Sequence, residues 1–166
     1  MGVTRAALRA PAMSGGGAAA EPFHAVAVDA ATVLPLRGEV LRPGRGAEEA
    51  RFRGDGASDT LHAAVFQGGA LIAVASVIRE RPPCSSAEDA WRVRGMATVP
   101  AMRERGIGAA LLARCEAHAR EHGGALLWCN ARVGARALYE RAGMSVVGER
   151  FEIPGIGEHY LMRKQL

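Results

Sequence analysis

Lysine is nearly missing from this chain: of 21 basic residues, all but Lys164 are arginine. Aromatics are scarce as well, eight in 166 residues. A single-strand nucleic-acid platform needs bases stacked on aromatics between basic side chains, and no stretch offers that alternation, so nucleic acid is not the expected partner. Guanidinium forks suit phosphates and carboxylates, and a net charge of +4 leaves that option open. The three cysteines, Cys84, Cys115 and Cys129, form no C-x-x-C pair. That excludes a zinc knuckle or a disulfide framework on spacing grounds and fits reduced thiols in a cytoplasmic protein. The longest apolar stretch, Ala63 to Ile78, is broken by Gln67-Gly68-Gly69 and falls short of a membrane span.

What is present is ordinary globular composition, 49% hydrophobic and 23% charged, with the length of one domain. Residues 1–21 have no acid before Glu21, no apolar core of a secretory signal, and a Gly15-Gly16-Gly17 run. They read as a flexible tail, with a transit-peptide composition or a start at Met13 as alternatives. Residues 22–166 read as the domain. Strand patterns fall at Phe23–Val28, Leu61–Phe66, Ala70–Arg79, Ala90–Val99, Ala125–Ala131, Ser145–Ile153 and His159–Lys164. Helices are expected from Asp29, a ready N-cap, to Leu41, from Glu104 to His122, and from Val133 to Ala142 with Gly143 after it. Residues 43–60 and 81–89 read as loops. This is an α/β (α+β) pattern: a mixed, mostly antiparallel sheet of six to seven strands flanked by helices.

The most informative stretch is Val99-Pro-Ala-Met-Arg-Glu-Arg-Gly-Ile-Gly-Ala109, where a strand turns tightly into a long helix. The first amides of a helix lack partners within it, and the helix dipole favours an anion there. Glycines at 106 and 108 admit a phosphate close to the backbone, and Arg103 and Arg105 add charge. No lysine stands where a P-loop needs one, and Leu111 replaces the third glycine of a dinucleotide fingerprint. A diphosphate site of another kind is the remaining reading, against a plain tight helix start.

Residues 94–112 (RGMATVPAMRERGIGAALL) resemble the acyl-CoA-binding motif of the GNAT superfamily of N-acetyltransferases, with Arg103, Gly106 and Gly108 on its Q/R-x-x-G-x-G/A signature. Downstream, Ala135-Arg-Ala-Leu-Tyr-Glu-Arg-Ala-Gly-Met144 resembles the family's second motif. The resemblance runs from Phe23 to Lys164, is strongest over 94–144 and is weak before 60. It implies the GNAT fold, with a V-shaped splay between two central strands, and acetyl-CoA as co-substrate. It also implies acetyl transfer to a primary amine of a small molecule or peptide by direct attack in a ternary complex. Met96, Ala97 and Thr98 would line the pantetheine arm. The amides of Glu104, Arg105, Gly106, Ile107, Gly108 and Ala109, with Arg103, would hold the diphosphate. Tyr139 would protonate the leaving thiolate.

The chain departs from the family in two places. Where many relatives carry an Asn that touches the cofactor, Arg132 stands, with Asn130 two residues earlier; either would supply the polar contact. The positions of the family's general-base glutamates hold Arg92 and Leu127, so no base carries over. Glu158, His159, His62, Glu80 and Glu88 remain as candidates, and an acyl-CoA-binding protein without turnover is the alternative function. Arg92 and Arg94 share one face of their strand and would suit an acidic acceptor. His118 and His122 are four apart on a helix, but no third ligand is evident and no metal is expected. Strand edges near the C-terminus leave a homodimer possible.

Overall fold

The computed structural model describes residues 22–83 and 85–166. The expectations for residues 1–21 and for Cys84 lie outside them. Seven strands make one sheet in the order β1-β2-β3-β4-β5-β7-β6. They are β1 (Val26–Val28), β2 (Leu61–Gln67), β3 (Ala70–Arg79), β4 (Ala90–Thr98), β5 (Leu126–Arg132), β6 (Ser145–Ile153) and β7 (Gly157–Gln165). Every neighbouring pair is antiparallel except β4 and β5. That parallel pair requires a crossover, and helix α2 (Ile107–Glu121) supplies it. Helices α1 (Ala30–Leu41) and α3 (Arg136–Arg141) complete the fold. None of the described helices is long and apolar enough to cross a membrane.

Helices cover both faces of the sheet centre, which is why β2 and β3 read as nearly unbroken apolar runs. Ile107, Leu111, Leu112, Cys115 and Ala119 form the buried stripe of α2, and they pack with Ala63, Val65 and Trp91. Val33 and Leu36 of α1 bury Ala64, Val74 and Ala97 on the opposite face. Asp29 caps α1 as its position suggests, accepting from the Thr32 amide at 2.8 Å.

Several boundaries differ from the sequence reading. Strand β1 begins at Val26, not Phe23; Phe23 and Ala25 pack on the core without joining the ladder. Helix α2 begins at Ile107, not Glu104, because Glu104 (φ 61°) and Gly106 (φ 83°) are left-handed and cannot continue a helix. The expected helix 133–142 is a 3-10 turn over Val133–Ala135 followed by six α-helical residues. Residues 43–60 contain one short 3-10 helix, Ala47–Ala50.

Candidate active site

The parallel ladder links Ala90 to Leu126, Trp91 to Leu127 and Arg92 to Trp128, and goes no further. Yet β4 runs on to Thr98 and β5 to Arg132, so the two strands part in a V. The irregularity behind this is on the other edge of β4. Val74 faces Ala97 and Ser76 faces Arg94, so Gly95 and Met96 together stand opposite Ala75. An extra residue of this kind bends and twists its strand. Gly95 sits at φ 63°, and a Cβ there would lie 2.6 Å from Arg37 Nε and 2.9 Å from Phe52 Cε2. Only glycine fits the bulge.

A cleft of about 180 Å³ occupies the gap, and Met96, Asn130, Arg132, Tyr139 and His159 are among its lining residues. The fold thus brings Met96, Asn130, Arg132 and Tyr139 to one place. Tyr139 is 7% exposed, and its hydroxyl reaches Met96 Sδ at 3.8 Å. Burial, reinforced by the neighbouring Cys129 and Cys115, pushes the phenol well above its usual range, so it stays protonated. The Asn130 side-chain oxygen is buried with no hydrogen-bond partner, and the residue lines the cleft. Arg132 is exposed and donates to the Leu41 carbonyl at 3.3 Å, tying the end of β5 to the end of α1.

At the far end of β4, the first backbone bond of α2 runs from the Ala110 amide to the Gly106 carbonyl at 3.2 Å. The amides of Gly106, Ile107, Gly108 and Ala109 therefore have no partner inside the helix. Glu104 and Arg105 belong to the preceding turn, which corrects their expected place in the helix. Around Gly106 nothing would meet a Cβ within 4 Å, so the approach is open. Arg103 and Arg105 are exposed there, while Ile107 and Ala97 turn their side chains into the core and offer only backbone. Gly108 lies against Leu138, so the first turn of α2 adjoins the helix that carries Tyr139. This donor set fits a diphosphate, and the β4 edge beyond the bulge fits an extended arm.

Among the candidate bases, His159 alone lines the cleft. Its Nδ1 lies 2.7 Å from the Gly157 carbonyl, which can only accept, so Nδ1 donates there and Nε2 is the nitrogen that carries the lone pair in the neutral ring. His62 is locked away: Nε2 donates to the Asp55 carbonyl at 2.8 Å, and Nδ1 meets Ser76 Oγ at 2.7 Å. Glu158 is half-exposed and paired with Arg150. Glu80 bonds Arg92 at 2.8 Å, and Glu88 is exposed. The sequence reading missed Arg37 entirely. This wholly buried guanidinium binds Asp55 at 2.7 Å, Ser76 Oγ at 2.7 Å and the Ala50 carbonyl at 3.0 Å. It braces β3, the loop 50–55 and the bulge. Its one signal in the sequence is a charge beside Val33, Leu34 and Leu36.

His118 and His122 do acquire a neighbour that spacing did not reveal: Glu121 brings a ligand atom within 4.8 Å of theirs. Both rings already bond carbonyls, of Asp59 and His118, and pack against Trp91.

The profile of the acetyltransferase (GNAT) family matches residues 33–144. The N-acetyltransferase YitI of Bacillus subtilis (strain 168), itself uncharacterized, is 37% identical over 131 residues, 79% of this chain and 88% of that protein. An acyl-CoA N-acyltransferase from Pseudomonas aeruginosa shares the fold at a TM-score of 0.63 and 21% identity, covering 86% of this chain and 99% of that one. An aminoglycoside 6'-N-acetyltransferase complexed with coenzyme A does so at 0.67 and 14%, covering 85% and 96%. The chain belongs to the GNAT family of acetyltransferases.

Proposed function

We propose that this enzyme moves the acetyl group of acetyl-CoA to a primary amine of a small molecule or peptide, by direct attack in a ternary complex. The observation that carries this reading is the opening of β4 from β5 beside Tyr139, with the unpaired amides of α2 at the end of the same strand. The amides of Gly106 to Ala109, with Arg103 and Arg105, hold the diphosphate. The pantetheine arm lies along Met96, Ala97 and Thr98, and the Asn130 oxygen accepts from it. Arg132 stands where it meets a phosphate or the acceptor.

The amine nitrogen adds to the thioester carbonyl, with a β4 amide near Ala97 or Thr98 donating to the oxyanion. The C–N bond forms and the C–S bond breaks. His159 Nε2 takes the amine proton, directly or through water, and Tyr139 gives its own to the departing sulfur. The products are an amide and free CoA thiol. A base at His159 supports turnover over binding alone. The test is calorimetry with acetyl-CoA followed by thiol release over an amine panel. Tyr139→Phe is expected to lower kcat about 100-fold and to leave acetyl-CoA affinity unchanged. Absence of any binding heat overturns the function, and equal rates remove Tyr139 from its role.

A further inference from the structure

Arg92 and Arg94 stand two apart on β4, immediately before the bulge, and both line the cleft that holds Tyr139. Each guanidinium lies over an aromatic ring. The Arg94 guanidinium lies 3.9 Å from the centre of Phe52, and that of Arg92 lies 4.7 Å from Trp128. One carboxylate serves both: Glu80 reaches Arg92 at 2.8 Å and Arg94 only at 3.8 Å. Their side chains are 18% and 23% exposed, and the Nε of each is buried without a partner. Arg42 and Arg132 line the same cleft, and no Asp or Glu does among the described residues. Arg37 nearby is already matched by Asp55.

Partly desolvated charge that lacks a counter-ion is costly unless a ligand supplies one. The strain registers on Arg94, whose proton affinity is pushed down to about 10 by burial and by the charge of Arg92. Between them Arg92 and Arg94 keep one positive charge beyond Glu80, the charge of a single carboxylate, while Arg42 and Arg132 add positive charge elsewhere in the cleft. Resting on the acetyl transfer proposed above, we infer that the acceptor is an amine that carries a carboxylate, as an amino acid does. Arg92 and Arg94 hold that carboxylate while the amine reaches the thioester. The same field repels polycationic amines.

The experiment measures thiol release with amino acids, each paired with its carboxamide and its decarboxylated amine, plus aminoalkyl phosphates. A parallel thermal shift of the CoA-loaded protein with the same compounds needs no turnover. Each acid that is a substrate should exceed its carboxamide in kcat/KM by about tenfold or more, the scale of a charge-assisted pair. Arg94→Gln should erase that preference with acetyl-CoA affinity intact, and Arg94→Lys should keep part of it. Glu80→Gln, which frees Arg92, should lower KM for the acids, a gain that a merely structural pair would not give. Carboxamides that match the acids in both assays, or an Arg94→Gln protein that keeps the preference, overturn the inference. Phosphates that outdo carboxylates overturn the choice of anion. Failure of acetyl-CoA to bind strikes the proposed function, whereas normal binding with indifference to carboxylates strikes this inference alone.

Discussion

Gly95→Ala tests whether the bulge is closed as tightly as its neighbours imply. Two costs add. The residue sits at φ 63°, where an L side chain costs about 1–2 kcal/mol. The new Cβ would also meet Arg37 Nε at 2.6 Å and Phe52 at 2.9 Å. Arg37 cannot yield, because bonds to Asp55, Ser76 and Ala50 fix its fork; overpacking of this kind costs about 1–3 kcal/mol. The sum is about 2–5 kcal/mol, or a fall in Tm of roughly 4–20 °C for a domain of this size. Gly56→Ala is the control, since nothing lies within 4 Å of its Cβ and its φ is not positive; it should stay within about 0.5 kcal/mol of the parent. Urea titrations should move the midpoint for Gly95→Ala at unchanged m. A Gly95→Ala protein that melts within a degree or two of the parent would show that the backbone relaxes around the bulge, and the rigid brace by Arg37 would be wrong.

Other outcomes follow from the cleft and core. His159→Gln should lower kcat about 100-fold at unchanged acetyl-CoA affinity, read by steady-state rates beside calorimetry; undiminished turnover would return the proton to solvent. Because the phenol of Tyr139 is pushed upward, the rate should show no alkaline limb from this residue up to pH 10. Burial raises Cys115 and Cys129 to about 12 from an ordinary 9. Their contribution to stability is therefore complete below about pH 9 and lost as pH rises toward 12, since only the unfolded chain ionises in between. In a Cys84→Ser background neither thiol should react with a thiol reagent until the protein unfolds, and Cys115→Ala/Cys129→Ala should flatten the alkaline loss of urea stability. Prompt labelling of the folded protein, or an unchanged slope, would contradict this burial.

The strand and helix order was legible because it depends on local periodicity: α2 shows its buried stripe every three or four residues, and β6 keeps its expected bounds. The unpaired amides at the start of α2 were legible for the same reason, since they follow from helix geometry alone. The boundary at Glu104 was misplaced because its left-handed backbone leaves no mark in composition. Arg37 escaped notice and His159 stood as one of five candidate bases, because what sets each apart depends on residues far along the chain, Asp55 and Ser76 for the first and the other lining residues of the cleft for the second.

By itself, then, the order of residues determined the elements, the turn into α2 and the family motifs around Arg103 and Tyr139, all of which are written in neighbours close in the chain. Only the folded sheet decided where β4 leaves β5, which histidine enters the gap and which face Arg92 and Arg94 share. Those outcomes depend on long-range pairing and on one extra residue at Gly95, and a shift of one position in that register would turn every side chain beyond it to the other face.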